Sequence, residues 1–165
     1  MVKRIFDILF SIIGLIFFSP CFLLVSILIK IDSKGPVFFL QERVGRNGVL
    51  FKIIKFRSMI TDQNYNSTIT TANDNRITTI GKIIRKLKID ELPELFNVLI
   101  GNMSFVGPRP DVPGYADLLI GEDRLILKLK PGITSLASLK YVNEEAILAS
   151  VDDPMSYNKE VIFPD

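Results

Sequence analysis

The chain has 165 residues and a mass of 18.6 kDa, a length that suits one domain or one domain with an anchor. Hydrophobic residues make up 48% and charged residues 23%, which excludes an intrinsically disordered chain. There is no histidine and one cysteine, so histidine triads, zinc sites built on these residues and disulfide frameworks are excluded. Catalysis must use carboxylates, hydroxyls, Lys, Arg, Tyr or backbone groups, and any metal site must have oxygen ligands, which favours Mg²⁺ or Mn²⁺.

Charge is unevenly distributed along the chain. Residues 1–60 carry 9 Lys and Arg against 3 Asp and Glu, whereas residues 111–165 carry 5 against 10. A basic N-terminal third beside an apolar stretch indicates an anionic membrane surface, anionic substrates or both.

An uncharged stretch of 22 residues runs from Ile8 to Ile29. As one helix it would be about 33 Å long, enough to cross a hydrocarbon core of about 30 Å. Ser19-Pro20 interrupts it, and proline removes a backbone donor and clashes with the carbonyl four residues earlier, which predicts a kink. Ser19 is expected to donate a hydrogen bond to a carbonyl that the proline frees.

The flanks of this stretch leave three topologies open. Basic residues lie at both ends, namely Lys3, Arg4, Lys30 and Lys34. Symmetric basic flanks favour a helix–break–helix hairpin that re-enters one leaflet, because a spanning helix usually carries its positive flank on the cytoplasmic side. A kinked spanning helix stays open, and so does a cleaved signal peptide, although no small-x-small cleavage site follows.

Two β-prone runs around Asn47-Gly48 predict a hairpin within residues 35–60. The basic residues on or near it are Arg43, Arg46, Lys52, Lys55 and Arg57. They form either a solvated basic surface or a platform for phosphate groups. Residues 61–76 are rich in Asn, Thr and Asp and predict a loop.

A short basic amphipathic helix is predicted next. Its apolar residues recur at helical spacing and are Ile80, Ile83, Ile84 and Leu87. Arg85 lies on another face. That face either is simply solvated or contacts lipid headgroups beside the apolar anchor.

Asp90-Glu91 precedes Pro93, which fits only a first helical turn, so a helix is predicted to start near Asp90 and to stop at Gly101. One interpretation is structural: Asp90 is an N-cap, and Glu91 and Glu94 complement the positive helix end. The other is chemical. An ionised Asp at a helix N-terminus is a competent nucleophile toward phosphorus, and the adjacent Glu could hold a divalent cation or move a proton.

Pro108 and Pro110 fix the backbone around Arg109. This segment is either a rigid surface turn or a means of holding an arginine for bidentate phosphate contact. Further along, Leu118 to Leu129 shows helical spacing and predicts an ordinary packing helix.

Taken in order, these segments resemble the bacterial sugar transferase family, the monotopic phosphoglycosyl transferases. The matching stretches cover nearly the whole chain and are residues 3–7, Ser19-Pro20, residues 35–48, residues 51–59, residues 89–95, residues 97–99, residues 103–110 and residues 130–134. Each is weakly specific alone, but the ordered set is highly specific. Two stretches depart from the family pattern: Ser135-Leu136-Ala137 stands where Gly-Leu-Ala is common, and Gly101-Asn102-Met103-Ser104 where Gly-Asp-Met-Ser is usual.

The resemblance implies a mixed α/β fold, mostly α with a small β-hairpin. Residues 1–34 would be a re-entrant membrane anchor, and residues 35–165 a compact catalytic domain with interfacial amphipathic helices on the cytoplasmic face of the bacterial inner membrane. Relatives often continue past the position of Asp165, so a C-terminal truncation stays open.

The resemblance also implies an activity. The enzyme would transfer a phosphosugar from a nucleotide diphosphosugar, with uridine the expected nucleoside, to a polyprenol phosphate such as undecaprenyl phosphate. It would use Mg²⁺, with Mn²⁺ as an alternative, and release UMP in the first membrane step of glycoconjugate synthesis. Asp90 and Glu91 would be catalytic, with Glu91 also the metal ligand and Ser19 and Pro20 the membrane break. The candidate substrate contacts are Arg109, Pro108, Pro110, Lys55, Arg57 and Arg85.

Two other classes of function are alternatives to this one. The first is a non-catalytic, membrane-anchored interaction module in which Asp90 and Glu91 serve only as helix caps. Nucleic-acid binding is disfavoured, because the basic cluster is short, lacks interleaved aromatic residues and adjoins an apolar anchor. A homodimer stays open, as does the identity of the sugar.

Overall fold

The computed structural model describes residues 2–60 and 74–135, with short pieces at 139–140, 147–148, 150–151, 153–157 and 161. Helices and small sheets alternate in it, so the predicted mixed α/β class is confirmed. The helices are α1 (Val2–Phe17), α2 (Ser19–Asp32), α3 (Thr79–Lys86), α4 (Glu94–Ile100) and α5 (Pro154–Tyr157). The strands are β1 (Phe38–Val44), β2 (Leu50–Phe56), β3 (Ser104–Val106) and β4 (Gly132–Thr134). The 3₁₀ turns are Arg46–Gly48, Ile89–Glu91, Ala116–Leu118 and Asp123–Lys128.

A bend of 59° separates α1 from α2 at the predicted break. The Ser19 hydroxyl donates to the Ile16 carbonyl at 2.7 Å, which is the carbonyl that Pro20 leaves without its helical donor. The predicted kink and the role of Ser19 are confirmed. Among the described residues no single helix is long and apolar enough to cross a membrane, and the bent pair meets the length and composition for either a broken span or a re-entrant loop.

The inner faces of the bent pair pack on the rest of the chain. Val25 and Ile29 of α2 join Phe56 of β2 and Ile84 of α3 in one buried cluster. Helix α1 packs on α4, and Gly14 permits this because a Cβ there would lie 3.1 Å from Leu95 Cδ1. The outer faces carry exposed apolar side chains, among them Ile5, Leu9, Ile16, Leu23, Leu24 and Ile31.

The predicted hairpin is confirmed. Strands β1 and β2 pair antiparallel in a register that runs from Phe38–Phe56 to Val44–Leu50. The connection contains Asn47 and Gly48 with φ of 60° and 80°. Asparagine and glycine tolerate this left-handed conformation better than other residues, which is why this dipeptide marks the turn.

A second, parallel pair of strands was not predicted. Ser104 of β3 pairs with Gly132 of β4, and Val106 pairs with Thr134. The backbones approach so closely that a Cβ on Gly107 would lie 2.1 Å from the Lys130 carbonyl oxygen. The pairing fixes the segment that contains Arg109 against the segment that begins β4, since Gly132 N–H donates to the Pro108 carbonyl at 2.9 Å.

The helix predicted from Leu118 to Leu129 is wrong. The structure has two 3₁₀ turns there, separated by Gly121 with φ of +61°, a conformation that ends a right-handed helix. Leu118 and Leu125 are mostly exposed rather than packed. The loop predicted at 61–76 lies largely outside the described residues, apart from 74–76, which contain a turn.

Candidate active site

The Asp90–Glu91 pair lies on the 3₁₀ turn that leads into α4. Lys88, with φ of 56°, turns the chain sharply before it. Leu92 N–H donates to the Ile89 carbonyl at 3.1 Å, and Pro93, which has no N–H to donate, occupies the position before α4. The predicted helix start near Asp90 is therefore a tighter turn, and the α-helix itself begins at Glu94. The predicted stop at Gly101 is confirmed by its left-handed conformation.

Asp90 is buried, with 8% of its surface exposed, and its Oδ1 atom has no hydrogen-bond partner. Neither the turn nor α4 has a side-chain cap hydrogen bond at its start. Burial raises the pKa of Asp90 to about 6, and the nearby charges of Lys55, Arg85 and Lys88 limit the rise. The carboxyl is thus mostly ionised at neutral pH although its surroundings oppose ionisation.

Lys55 of β2 joins two carboxylates of the following segment. Its Nζ lies 2.7 Å from Glu91 Oε1 and 3.2 Å from Glu94 Oε1. Burial opposes the charge on Lys55, but Glu94 and Glu91 outweigh that effect and raise its pKa. One cation therefore pairs with Glu91 and Glu94, and these two residues form an acidic cluster with the neighbouring Asp90.

The carboxylates of this cluster have different protonation behaviour. Burial alone would raise the pKa of Glu91, but Lys55, with help from Lys88 and Arg109, brings it below its usual value. Burial dominates at Glu94 and raises its pKa to about 7 in spite of Lys55. Glu91 is therefore an anion at neutral pH, and Glu94 titrates near neutrality. The sequence predicts for Glu94 only a role at the positive helix end. The spacing of three residues between Glu91 and Glu94 is the signal that could have placed both carboxylates on one side of the predicted helix.

Arg109 is exposed, and its positive charge contributes to the lowered pKa of Glu91. Pro110 is buried and Pro108 partly buried. The hairpin holds the segment too, since Arg43 donates to the Pro110 carbonyl at 3.1 Å. The prolines therefore fix a backbone from which the Arg109 side chain extends.

The remaining predicted residues lie in different places. Arg85 of α3 donates to Ser58 Oγ at 3.3 Å, and its positive charge limits the rise in the pKa of Asp90. Arg57 is buried and donates to the Lys34 and Ser33 carbonyls at 2.8 and 2.7 Å. It therefore caps the C-terminal end of α2, a different position from the phosphate platform that was predicted for it. Ser19 and Pro20 are exposed at the helix break.

A carboxylate of this site, that of Glu91, is the oxygen ligand that the sequence indicates for the predicted Mg²⁺ site. In the described part of the chain, Asp, Glu and Cys side chains do not come together in a group of three or more that could hold a metal. Mg²⁺ commonly binds through one or two carboxylates together with substrate phosphates. Glu91 and the unpartnered Asp90 Oδ1 could supply the carboxylates of such a site.

Comparison with known proteins identifies the same family that the sequence motifs resemble. The family model described as bacterial sugar transferase matches residues 1–163. A UDP-N-acetylgalactosamine-undecaprenyl-phosphate N-acetylgalactosaminephosphotransferase of Aeromonas hydrophila is 43% identical over 84% of this chain and 34% of its own length. Exopolysaccharide production protein ExoY of Rhizobium meliloti is 37% identical over 87% of this chain and 71% of its own length.

The UDP-glucose:undecaprenyl-phosphate glucose-1-phosphate transferase of Escherichia coli is 36% identical over 98% of this chain and 36% of its own length. The chain thus spans about a third of the length of two of these relatives and about 71% of the third. The family match and the aligned region of the Escherichia coli relative both include the positions of Asp90, Glu91 and Arg109. The chain belongs to the bacterial sugar transferase family.

Proposed function

We propose that this protein transfers a sugar phosphate from a UDP-sugar to undecaprenyl phosphate and releases UMP. The observation that carries the proposal is the buried Asp90 carboxylate with an unpartnered oxygen beside the Lys55–Glu91 pair. Relatives named as undecaprenyl-phosphate sugar phosphotransferases support the substrates, and those named for exopolysaccharide production support the pathway. The product would be the lipid-linked first sugar of an extracellular glycan.

The proposed chemistry proceeds in two displacements at phosphorus. An Asp90 oxygen attacks the phosphorus that bears the sugar, and the bond from that phosphorus to the bridging oxygen breaks, so UMP leaves with the electron pair. A phosphate oxygen of undecaprenyl phosphate then attacks the same phosphorus and expels the Asp90 carboxylate. The lipid diphosphosugar forms, the carboxylate is regenerated, and no net proton transfer is needed.

Other residues of the site bind and orient the substrates. Arg109 extends from a fixed backbone and suits bidentate contact with phosphate oxygens, and Arg85 adds positive charge near Asp90. Lys55 holds Glu91 in place. A burial that raises the pKa of Asp90 also makes its ionised form less solvated and more reactive, as long as the pH stays above about 6.

Glu91, with Asp90 Oδ1 and the substrate diphosphate, would hold Mg²⁺ or Mn²⁺. When bound, the cation would neutralise charge on the diphosphate and on the leaving UMP. Lys55 keeps one Glu91 oxygen engaged at 2.7 Å, which orients the carboxylate toward the site.

The membrane arrangement is also proposed. Residues 1–34 would be a re-entrant anchor, and residues 35–165 a catalytic domain on the cytoplasmic face of the inner membrane. Arg4, near the start of α1, donates to the Val98 and Leu99 carbonyls at 2.6 and 2.7 Å. The end of α2 is held by Arg57 of the same domain. Both ends of the bent pair are attached to one domain, which supports entry and exit on one side of the membrane.

The function is tested by incubating the detergent-purified protein with a panel of UDP-sugars, undecaprenyl phosphate and Mg²⁺, and by measuring released UMP. We expect release with one or a few UDP-sugars and none after chelation of the divalent cation. A protein that is folded and membrane-bound but releases no UMP with any sugar of the panel would contradict the proposal and favour a non-catalytic anchored module.

A further inference from the structure

One buried side chain connects the helix after the catalytic turn to the hairpin strand. Asn97 of α4 has 0% of its surface exposed. Its Oδ1 accepts a hydrogen bond from the Ile54 backbone N–H at 2.9 Å, and its Nδ2 donates to the Lys52 carbonyl at 2.7 Å. One amide thus pairs with the edge of β2 as a neighbouring strand would. Without it, two partly buried backbone groups of the strand would lose these hydrogen-bond partners.

The backbone of Asn97 is held as firmly as its side chain. Its carbonyl accepts hydrogen bonds from the N–H groups of Gly101, Asn102 and Met103, at 3.1, 3.0 and 3.1 Å. These bonds form the C-terminal end of α4. The residue therefore cannot shift along β2 without disturbing the end of the helix.

The same two elements carry Lys55 and Glu94, and Glu91 lies on the 3₁₀ turn that leads into α4. Lys55 follows Ile54 directly in β2. In α4, Glu94 precedes Asn97 by three residues, so Glu94 and Asn97 lie on one face of that helix. The contacts from Lys55 to Glu91 and Glu94, at 2.7 and 3.2 Å, cross the interface that the Asn97 amide closes. A slip of α4 relative to β2 would lengthen both contacts.

We infer that Asn97 is a positioning residue for the transfer reaction: its amide sets the register of α4 on β2 and thereby holds Lys55 against Glu91 and Glu94. The inference rests on the proposed function. A shorter hydroxyl or a longer amide would form the two backbone hydrogen bonds poorly and would let Lys55 move away from the carboxylates. A misplacement of about 1 Å in a catalytic group can cost up to about 100-fold in rate.

The experiment is a double-mutant cycle in the full chain, with kcat and KM measured from UMP release. Asn97→Gln and Asn97→Ser are made in the native and in the Lys55→Met background. In the native background we expect kcat to fall at least about tenfold, with less than about a twofold change in KM for the UDP-sugar. In the Lys55→Met background, the same substitutions are expected to cost less than about twofold, because the contact they would disturb is already gone.

Ser104→Ala is the matched control. Ser104 is equally buried and its hydroxyl donates to Asp7 Oδ1 at 2.9 Å, so the variant loses a buried hydrogen bond at the anchor side of the domain instead of at β2. It should lower the Tm while kcat stays within about twofold. The inference would be overturned if the Asn97 substitutions lowered kcat by the same factor in both backgrounds. It would also be overturned if the Asn97 variants, like Ser104→Ala, lowered the Tm and left kcat within about twofold.

Hydrogen exchange of the Ile54 amide gives a second measurement that does not depend on turnover. The amide should exchange slowly in the native protein and in Ser104→Ala, and at least about tenfold faster in Asn97→Ser. Unchanged exchange would overturn the pairing even if the protein released no UMP. Absence of UMP release with the expected exchange pattern would instead count against the proposed function alone.

Discussion

At the scale of single residues, Arg57 and Arg109 show how similar side chains serve different parts of the molecule. The Arg57 guanidinium is occupied by backbone carbonyls at the end of α2, whereas Arg109 extends from the fixed Pro108–Pro110 segment. We expect Arg57→Lys to lower stability by about 1–3 kcal/mol, because lysine cannot reproduce the planar fork, and to leave KM for the UDP-sugar nearly unchanged.

Arg109→Lys is the companion variant. It should keep the Tm and raise KM for the UDP-sugar on the order of tenfold, since it keeps the charge but loses bidentate contact. Steady-state UMP release and thermal unfolding in detergent separate the two effects. A raised KM in Arg57→Lys with an unchanged Tm would restore the predicted phosphate platform, and unchanged kinetics in Arg109→Lys would reduce its segment to a structural turn.

Glu94 makes stability depend on pH in a way that can be measured. Burial raises its pKa from 4.5 to about 7, so the folded state binds more protons than the unfolded state in that interval. The contribution of Glu94 to the free energy of unfolding therefore decreases as pH rises from about 4.5 to about 7. Glu94→Gln removes this titration. We expect the Tm of the variant, relative to the native protein, to increase between pH 5 and pH 8.

Thermal unfolding at several pH values, with Glu122→Gln at an exposed position as a surface control, measures that difference. A relative Tm for Glu94→Gln that stays constant or decreases between pH 5 and pH 8 would be incompatible with a buried carboxyl of raised pKa.

At the scale of elements, the break between α1 and α2 is the feature with the clearest local cause. Pro20 lacks the donor that the Ile16 carbonyl would otherwise accept, and Ser19 supplies a replacement. We expect Pro20→Leu to straighten the pair and favour a spanning helix, whereas Ser19→Ala should retain the bend because the proline remains.

Single cysteines at residues 2 and 33, in a Cys21→Ala background, report the topology through labelling with a membrane-impermeant reagent. Both probes should be cytoplasmic in the native protein and in Ser19→Ala. In Pro20→Leu, one probe should be cytoplasmic and the other periplasmic. One periplasmic probe in the native protein would contradict the re-entrant anchor.

The elements that could be predicted from sequence are those with a local cause. The hairpin turn needs left-handed residues, and Asn47-Gly48 supplies them. The helix expected between Leu118 and Leu129 failed because hydrophobic spacing does not show that Gly121 adopts a left-handed conformation. The β3–β4 pair could not be predicted, because each strand has three residues and the two strands are far apart in sequence. Gly107 and Gly132 are needed there because their backbones approach each other closely, which the sequence alone does not show.

At the scale of the whole molecule, the charged residues at the start of the chain bind the domain. Arg4 donates to carbonyls at the end of α4, and the buried Asp7 accepts a hydrogen bond from Ser104. The sequence indicated Lys3 and Arg4 as flanks of a membrane stretch, and Asp90 and Glu91 as a chemical pair. It could not indicate that Arg57 caps α2 or that Lys55 joins Glu91 to Glu94, because these contacts depend on the packing of distant segments.

The central claim is that Asp90 forms a covalent bond to the transferred sugar phosphate. Mass spectrometry of the protein after incubation with UDP-sugar and Mg²⁺, without lipid, tests it most directly. We predict one mole of UMP per mole of active protein and a mass increase of one phosphosugar on the peptide that contains Asp90, with neither in Asp90→Asn. UMP release that requires the lipid, with no adduct on Asp90, or full turnover in Asp90→Asn, would contradict the account.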